Sequence, residues 1–330
     1  MKRSQVQVRA SVVAVIAIVA IVAMLVEIGL SAHRPDRRAL SWSSDKSFAS
    51  DVPQTSTQKD DDAELTERLK TICDRAGGAI GVAVLHVETG RVVAIEGTKQ
   101  LPLYSVFKLP LAIAVLKEVE ENRLRLDQKV RIMPAEAAPG GQGNSELWRQ
   151  PVERSIRELL ELSIVRSDNT SSDKLLQLVG GPEAITQRMR ALDLQSIDIR
   201  SSVRDFAGQR KHPNTGTAND LAHLLARLQQ GDILQPTQLS ILLGFMEQAT
   251  TGIRRLRGDL PAGTPVADKT GTGAAGSVTN DVGIITLPNG RGHLAMVVLL
   301  SGSKLTVEAQ EKIIAQLARV AYDAHISGRK

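Results

Sequence analysis

Residues 280–300 read NDVGIITLPNGRGHLAMVVLL. Two β-rich runs flank Asn289-Gly290, and Asn-Gly between such runs is the strongest short-range signal for a hairpin. A second hairpin is expected near the other end of the chain, where AIGVAVLHVETGRVVAIEG (79–97) turns about Thr89-Gly90. Between these pairs the periodicity is helical. Ser105 to Glu121 is apolar nearly all round in its first turns, which predicts a central buried helix whose Pro110 is tolerated near the start. Shorter helices are expected over Ser155–Leu162 and Thr170–Val179, the second closed by Gly180-Gly181. Thr217 and Asp220 resemble a capping pair opening ANDLAHLLARL, and Pro236 opens another helix to Gln248. Leu305–Ala324 closes the chain as a helix. The expected fold is α+β: an antiparallel sheet built from both chain ends and packed by helices, with a mostly helical second lobe. A cleft between the lobes is where a ligand would sit.

At 330 residues and 42% hydrophobic content, the chain can bury a sizeable core. Its net charge of +5 is concentrated at the start: residues 1–60 hold eight Lys/Arg against five Asp/Glu, leaving 33 against 31. With a near-neutral body and 2% aromatics, the composition argues against nucleic acid as a partner. Lys2, Arg3 and Arg9 precede an uncharged apolar run from Ala10 to Val26; Glu27 breaks it, and Gly29, Ser31 and Ala32 offer a cleavage region. Residues 1–32 therefore read as a signal peptide or signal anchor, 33–60 as a polar flexible linker, and 61–330 as the folded body, placed outside the cytoplasm. Membrane contact is expected only through the N-terminal segment, if uncleaved. Nothing in the pattern calls for an obligate partner, so a monomer is expected. Cys73, the single cysteine, falls in the helical stretch 63–76 behind Asp60-Asp61-Asp62, acidic residues suited to a helix start, and reads as an inert buried thiol.

Three short motifs occur in order: Ser105-Val106-Phe107-Lys108, Ser167-Asp168-Asn169 and Lys269-Thr270-Gly271. A single S-x-x-K is expected about once by chance in such a chain, so the order and context of all three carry the signal. Ser105 and Lys108, three apart at a helix start, share a face. A lysine pressed among apolar neighbours loses its proton more readily, which suits it to activate a hydroxyl. Free N–H groups at the helix start favour a developing oxyanion. Ser167-Asp168-Asn169 falls between two helices, where a hydroxyl and an amide can project into a cleft. Lys269-Thr270-Gly271 precedes a β run, where a strand edge can pair with an extended amide while Lys and Thr hold a carboxylate.

These residues resemble the active-site set of class A serine β-lactamases and penicillin-binding proteins. The resemblance includes Thr250-Thr251-Gly252-Ile253-Arg254-Arg255-Leu256-Arg257 with Leu260-Pro261, Val266-Ala267-Asp268, Thr279-Asn280-Asp281, and the Leu-Val-Gly-Gly-Pro ending at Pro182, and it spans about Ala63 to Ala324. It implies a secreted or periplasmic hydrolase acting on a small-molecule β-lactam without a cofactor, and hence antibiotic resistance. By the same resemblance Ser105 is the nucleophile, Lys108 helps remove its proton, and the backbone N–H groups of Ser105 and Thr272 form the oxyanion hole. Ser167 relays a proton to the departing ring nitrogen, Asn169 binds the substrate's side-chain amide, and Lys269, Thr270 and Gly271 hold the carboxylate end.

One departure stands out. The family carries a Glu, the base for the deacylating water, in the loop that here reads IDIRSSVRDFAGQRKHPNTGT (197–217), which contains none. Asp205 takes the base role in this reading, one methylene shorter than Glu; a surface Asp paired with Arg204 or Arg200 is the alternative. Asp198 reads as a strand or turn residue, and Gln209 is able to orient water but not to take a proton. Two other functions therefore stand beside β-lactam hydrolysis: a slowly deacylating penicillin-binding relative or D-Ala-D-Ala peptidase, and a silent membrane-tethered sensor domain. The six His show no metal-ligand spacing, so no metal is expected. Gly140–Gly143 reads as a loop bordering the cleft, and Trp148 as either its lining or core packing.

Overall fold

Every second residue of His293–Ser301 faces one side of a sheet, yet seven of these nine positions in a row are buried. Period-two geometry then requires cover on both faces, and helices from distant parts of the chain supply it. The computed structural model describes residues 56–140, 144–208 and 212–327. The apolar segment 1–32, most of the linker, Gly141–Gly143 and Gln209 lie outside them.

In chain order the elements are α1 (Ser56–Cys73), β1 (Ala79–His86), β2 (Val92–Ile95), β3 (Leu101–Pro102), α2 (Lys108–Glu120), β4 (Lys129–Ile132) and β5 (Val152–Ser155). They continue with α3 (Ile156–Val165), α4 (Asn169–Leu178), α5 (Gly181–Ala191), α6 (Val203–Ala207), β6 (Thr215–Gly216), α7 (Ala218–Gln229) and α8 (Pro236–Glu247). The last are β7 (Val266–Thr272), β8 (Thr279–Thr286), β9 (His293–Ser301) and α9 (Val307–Ser327). The main sheet has the order β2-β1-β9-β8-β7 and is antiparallel throughout, so the two terminal hairpins meet at β1 and β9. Asn289, at φ 57°, and Gly290, at φ 66°, form the turn that the Asn-Gly pair anticipates.

Leu294, Met296, Val298 and Leu300 of β9 pack with Leu65, Leu69 and Ile72 of α1 and Ile313, Ile314 and Leu317 of α9. Ala295, Val297 and Leu299 face the other way, toward α7, whose Leu221, Leu224, Leu225 and Leu228 are fully buried. Each such leucine contributes about 1.5–3 kcal/mol. Thr217 caps α7 by accepting from the Asp220 N–H at 3.3 Å. The helical lobe gathers around α2, buried on nearly every side and packed by α3, α4, α5 and α8. This is the α+β arrangement expected.

Three local expectations change. First, α1 begins at Ser56, within the expected linker, because its polar residues are compatible with helix; Asp60–Asp62 therefore follow its first turn. Second, Gly180-Gly181 ends α4 but also opens α5, a helix the sequence reading passed over. Both glycines have positive φ, and Pro182 then sits in the first turn, where its missing N–H is not needed. Third, Lys269-Thr270-Gly271 lies inside β7, at the sheet edge, rather than ahead of a strand. Cys73 is buried, and burial raises its thiol to about 12, which makes it inert.

Candidate active site

Ser105 lies in a 3-10 turn, Tyr104–Phe107, that runs directly into α2. The sequence expectation of one α-helix from Ser105 is thus corrected. An α-helix begun there would need the Pro110 N–H to bond Val106, and proline has none; starting at Lys108 removes that need. Tyr104 has φ 47°, a left-handed conformation that costs an aromatic residue on the order of 1–2 kcal/mol. Asn280 of β8 helps hold the segment before it: its Nδ2 donates to Pro102 O at 2.9 Å and Leu103 O at 3.2 Å, and its Oδ1 accepts from Leu300 N–H at 3.0 Å. Gly271 passes so close that a Cβ there would lie 2.3 Å from Leu103 O. The nucleophile turn and β7 are therefore pressed together, which only glycine permits.

Ser167 also has positive φ, 53°, in the connection between α3 and α4. Asp168 fixes this connection: it caps α4 by accepting from Ser171 N–H at 2.6 Å and accepts from Trp148 Nε1 at 3.1 Å. Trp148 is buried and packs, settling the two readings of that residue. Asn169 donates to Pro139 O at 2.8 Å, which brings the Gly140 loop beside it.

Two fully buried lysines converge on Ser167. Lys108 Nζ donates to Ser167 O at 2.6 Å, Asn169 Oδ1 at 2.7 Å and Ser167 Oγ at 3.2 Å. From the other side, Lys269 Nζ donates to Ser167 Oγ at 3.0 Å and to Thr270 O at 3.0 Å. Burial, reinforced by the Lys269 charge, holds Lys108 well below the ordinary lysine range, against the pull of Asp168 and Asp173. Burial brings Lys269 down to about 8, with Asp268 and Asp281 opposing the shift. A hydroxyl between two lysines that release protons readily is equipped to pass one along. No hydrogen bond joins Lys108 to Ser105 among the described residues; catalytic contacts of this kind commonly tighten only when substrate binds.

Several residues that hold this arrangement were not singled out for it by the sequence. Arg255, 4% exposed, donates to Asn280 O at 2.8 Å and to Thr272 Oγ1 at 2.9 Å, bracing the end of β7. Thr251 and Thr270 hydroxyls meet at 2.7 Å, and a Cβ on Gly252 would collide with Thr270. Asp268 of β7 and Asp281 of β8 both lack exposed surface. Arg257 Nε donates to Asp268 at 2.8 Å, and Leu256 N–H donates to Asp281 at 3.1 Å. Each carboxyl leaves one oxygen without a donor, and a proton shared between them satisfies both. Burial and the Asp268 charge hold Asp281 well above the carboxylate range.

The sequence profile of the beta-lactamase enzyme family matches residues 64–325. The extended-spectrum beta-lactamase PER-1 of Pseudomonas aeruginosa is 34% identical over 78% of this chain and 86% of its own length. Beta-lactamase VEB-1 of the same organism is 30% identical over 80% of this chain and 91% of its own. The chain belongs to the beta-lactamase enzyme family. Among solved structures, a beta-lactamase from Chitinophaga pinensis superposes with a TM-score of 0.75 at 35% identity, covering 79% of this chain and 99% of that one. An ancestral class A beta-lactamase gives 0.72 at 33% identity, over 79% and 99%. The fold and the family are those of class A.

The departure noted in the family's loop has a structural setting. Asp205 lies in α6, whose cap Ser202 accepts from the Asp205 N–H at 3.1 Å. Asp173, 4% exposed on α4, accepts from Val203 N–H at 2.7 Å and Arg204 N–H at 3.0 Å, tying α6 to the helix that follows Ser167. Asp173 feels the charges of both Lys108 and Asp205, and burial raises its own carboxyl. Asp198 instead engages Arg190 and Arg200 and forms a bridge with Thr215, a structural role.

Proposed function

We propose that this class A β-lactamase hydrolyses the β-lactam amide through an acyl-Ser105 intermediate, with Asp205 as base for the second half-reaction. The observation that carries the reading is the convergence of the Lys108 and Lys269 amines on Ser167 Oγ, next to the turn bearing Ser105. Ser105 Oγ attacks the ring carbonyl carbon and its proton passes to neutral Lys108. The ring C–N bond breaks, and Ser167 delivers its proton to the departing nitrogen while taking one from Lys108, which returns to neutral. The Ser105 and Thr272 N–H groups stabilise the oxyanion. Water, giving a proton to Asp205, then attacks the ester carbonyl; the bond from the acyl carbon to Ser105 Oγ breaks, and a proton returns from Asp205 to free the Ser105 hydroxyl. Asn169 orients the substrate's amide side chain, while Lys269, Thr270 and Gly271 take its carboxylate. No cofactor enters this scheme. The apolar segment 10–26 delivers the body, as a monomer, outside the cytoplasm.

Mass spectrometry of the chain mixed with benzylpenicillin tests the reading. A gain of one whole β-lactam, localised to the peptide containing Ser105 and then lost with time, is the expected result; an adduct elsewhere removes Ser105 as nucleophile. A second reading, an acylating relative that releases product slowly, is favoured by the absence of Glu from residues 197–217. In that case the adduct forms and persists.

The lysine pair also sets a pH dependence. Lys269 carries its charge below about 8 and loses it above, so its hold on a substrate carboxylate weakens as pH rises through that value. The expected kcat/KM profile for a carboxylate-bearing β-lactam falls on the alkaline side near pH 8, and Lys269→Arg moves that limb to higher pH. A wild-type profile flat to pH 10 contradicts the assignment.

A further inference from the structure

Aromatic side chains are rare in this chain, with 4 Phe and 2 Tyr, yet one of each meets beside the site. Tyr104 immediately precedes Ser105, and Phe206 immediately follows Asp205. Their rings lie edge to face, with centroids 5.6 Å apart and planes at 88°. The Tyr104 ring also reaches β7's exit: a Cβ on Gly273 would lie 3.2 Å from Tyr104 Cζ. Tyr104 therefore bridges the end of the Lys269-Thr270-Gly271 strand and the short helix α6. Its left-handed backbone accompanies this placement, so the strain sits where the bridge is made.

Helix α6 has five residues and makes too few internal hydrogen bonds to hold itself. Asp173 anchors its start through Val203 and Arg204; Phe206 gives an attachment on the other side of Asp205. We infer that Tyr104 and Phe206 form an aromatic clasp that fixes Asp205 relative to the acyl-serine, making them a positioning pair for deacylation. The inference rests on the proposed role of Asp205. Its physical basis is that hydrolysis of the ester needs a water held between Asp205 and the acyl carbonyl, so a small change in that span alters the rate strongly. Attack by Ser105 on the β-lactam does not involve that water, so the clasp acts on one half-reaction.

Stopped-flow kinetics with a chromogenic cephalosporin separates the halves. Phe206→Ala and Tyr104→Ala are each expected to lower the deacylation constant roughly three- to tenfold, the range an edge-to-face pair supports. The acylation constant stays within about twofold of wild type. The double variant is no slower than the worse single one, because either change opens the same clasp. Phe206→Tyr, which keeps the ring, restores deacylation. Melting temperatures taken alongside identify any variant that fails to fold, and Phe206→Leu then replaces it. Equal losses in both half-reactions, or effects of the two substitutions that add, reduce the contact to packing and overturn the inference. A wild-type chain that takes up no β-lactam sinks the parent reading; a wild-type chain that turns over while the variants match it sinks the clasp alone.

Discussion

Ser105→Ala is expected to abolish the penicillin adduct and to lower turnover on the order of 10⁵-fold, since nucleophile and proton acceptors act as a unit. The loss should come without loss of fold. Ser105 is half-buried in the 3-10 turn, and its hydroxyl makes no hydrogen bond among the described residues. The turn is held by others: Asn280 on the carbonyls of Pro102 and Leu103, and the close passage of Gly271. The variant should therefore melt within a few degrees of wild type and still bind β-lactam non-covalently through Lys269 and Asn169. Mass spectrometry, a melting curve and equilibrium binding check the three parts. An adduct that persists on Ser105→Ala places the nucleophile elsewhere.

Asp205→Asn carries the second large effect, and it should fall on one half-reaction only. A general base contributes on the order of 10²–10⁴-fold, so the acyl-enzyme should accumulate while its formation proceeds normally. The amide keeps the size of the side chain, and Asp173 and Ser202 still hold α6, so the segment stays in place. Burst amplitude near one equivalent followed by a slow phase is the expected trace. Unchanged steady-state turnover removes Asp205 from the mechanism. Asp173 is then the next carboxylate to test, close enough to Lys108 to feel its charge, although both its oxygens are already engaged by α6.

The parts of this molecule that were legible in its sequence are those written locally. The Asn289-Gly290 turn, the Thr217 cap and the all-apolar start of α2 depend on neighbours a few residues away, and each is read from residue type and period. The motif residues were legible because their spacing and order are improbable together. What was not legible is pairing across long separations. Nothing near Asn280 announces that it grips Pro102 and Leu103, and nothing near Arg255 announces Thr272. Nothing near Asp268 or Asp281 announces that β7 and β8 bury both of them completely. Local signals also misled where one residue serves two elements. Gly180-Gly181 was read as an ending and is also a beginning, while Pro110 delays the α-helix that Ser105 was expected to open. Asp173 had a visible clue, four residues after Asn169 and so on the same helical face, but its partner α6 lies thirty residues on.

Sustained hydrolysis by a chain with no Glu in residues 197–217 is the central claim, and a progress curve on the purified protein with excess chromogenic cephalosporin tests it most directly. Linear product release far beyond one equivalent of enzyme is the predicted result, with acyl-Ser105 formed and cleared in every cycle. A burst of one equivalent followed by a plateau would contradict it and leave an acylating protein that does not release its product.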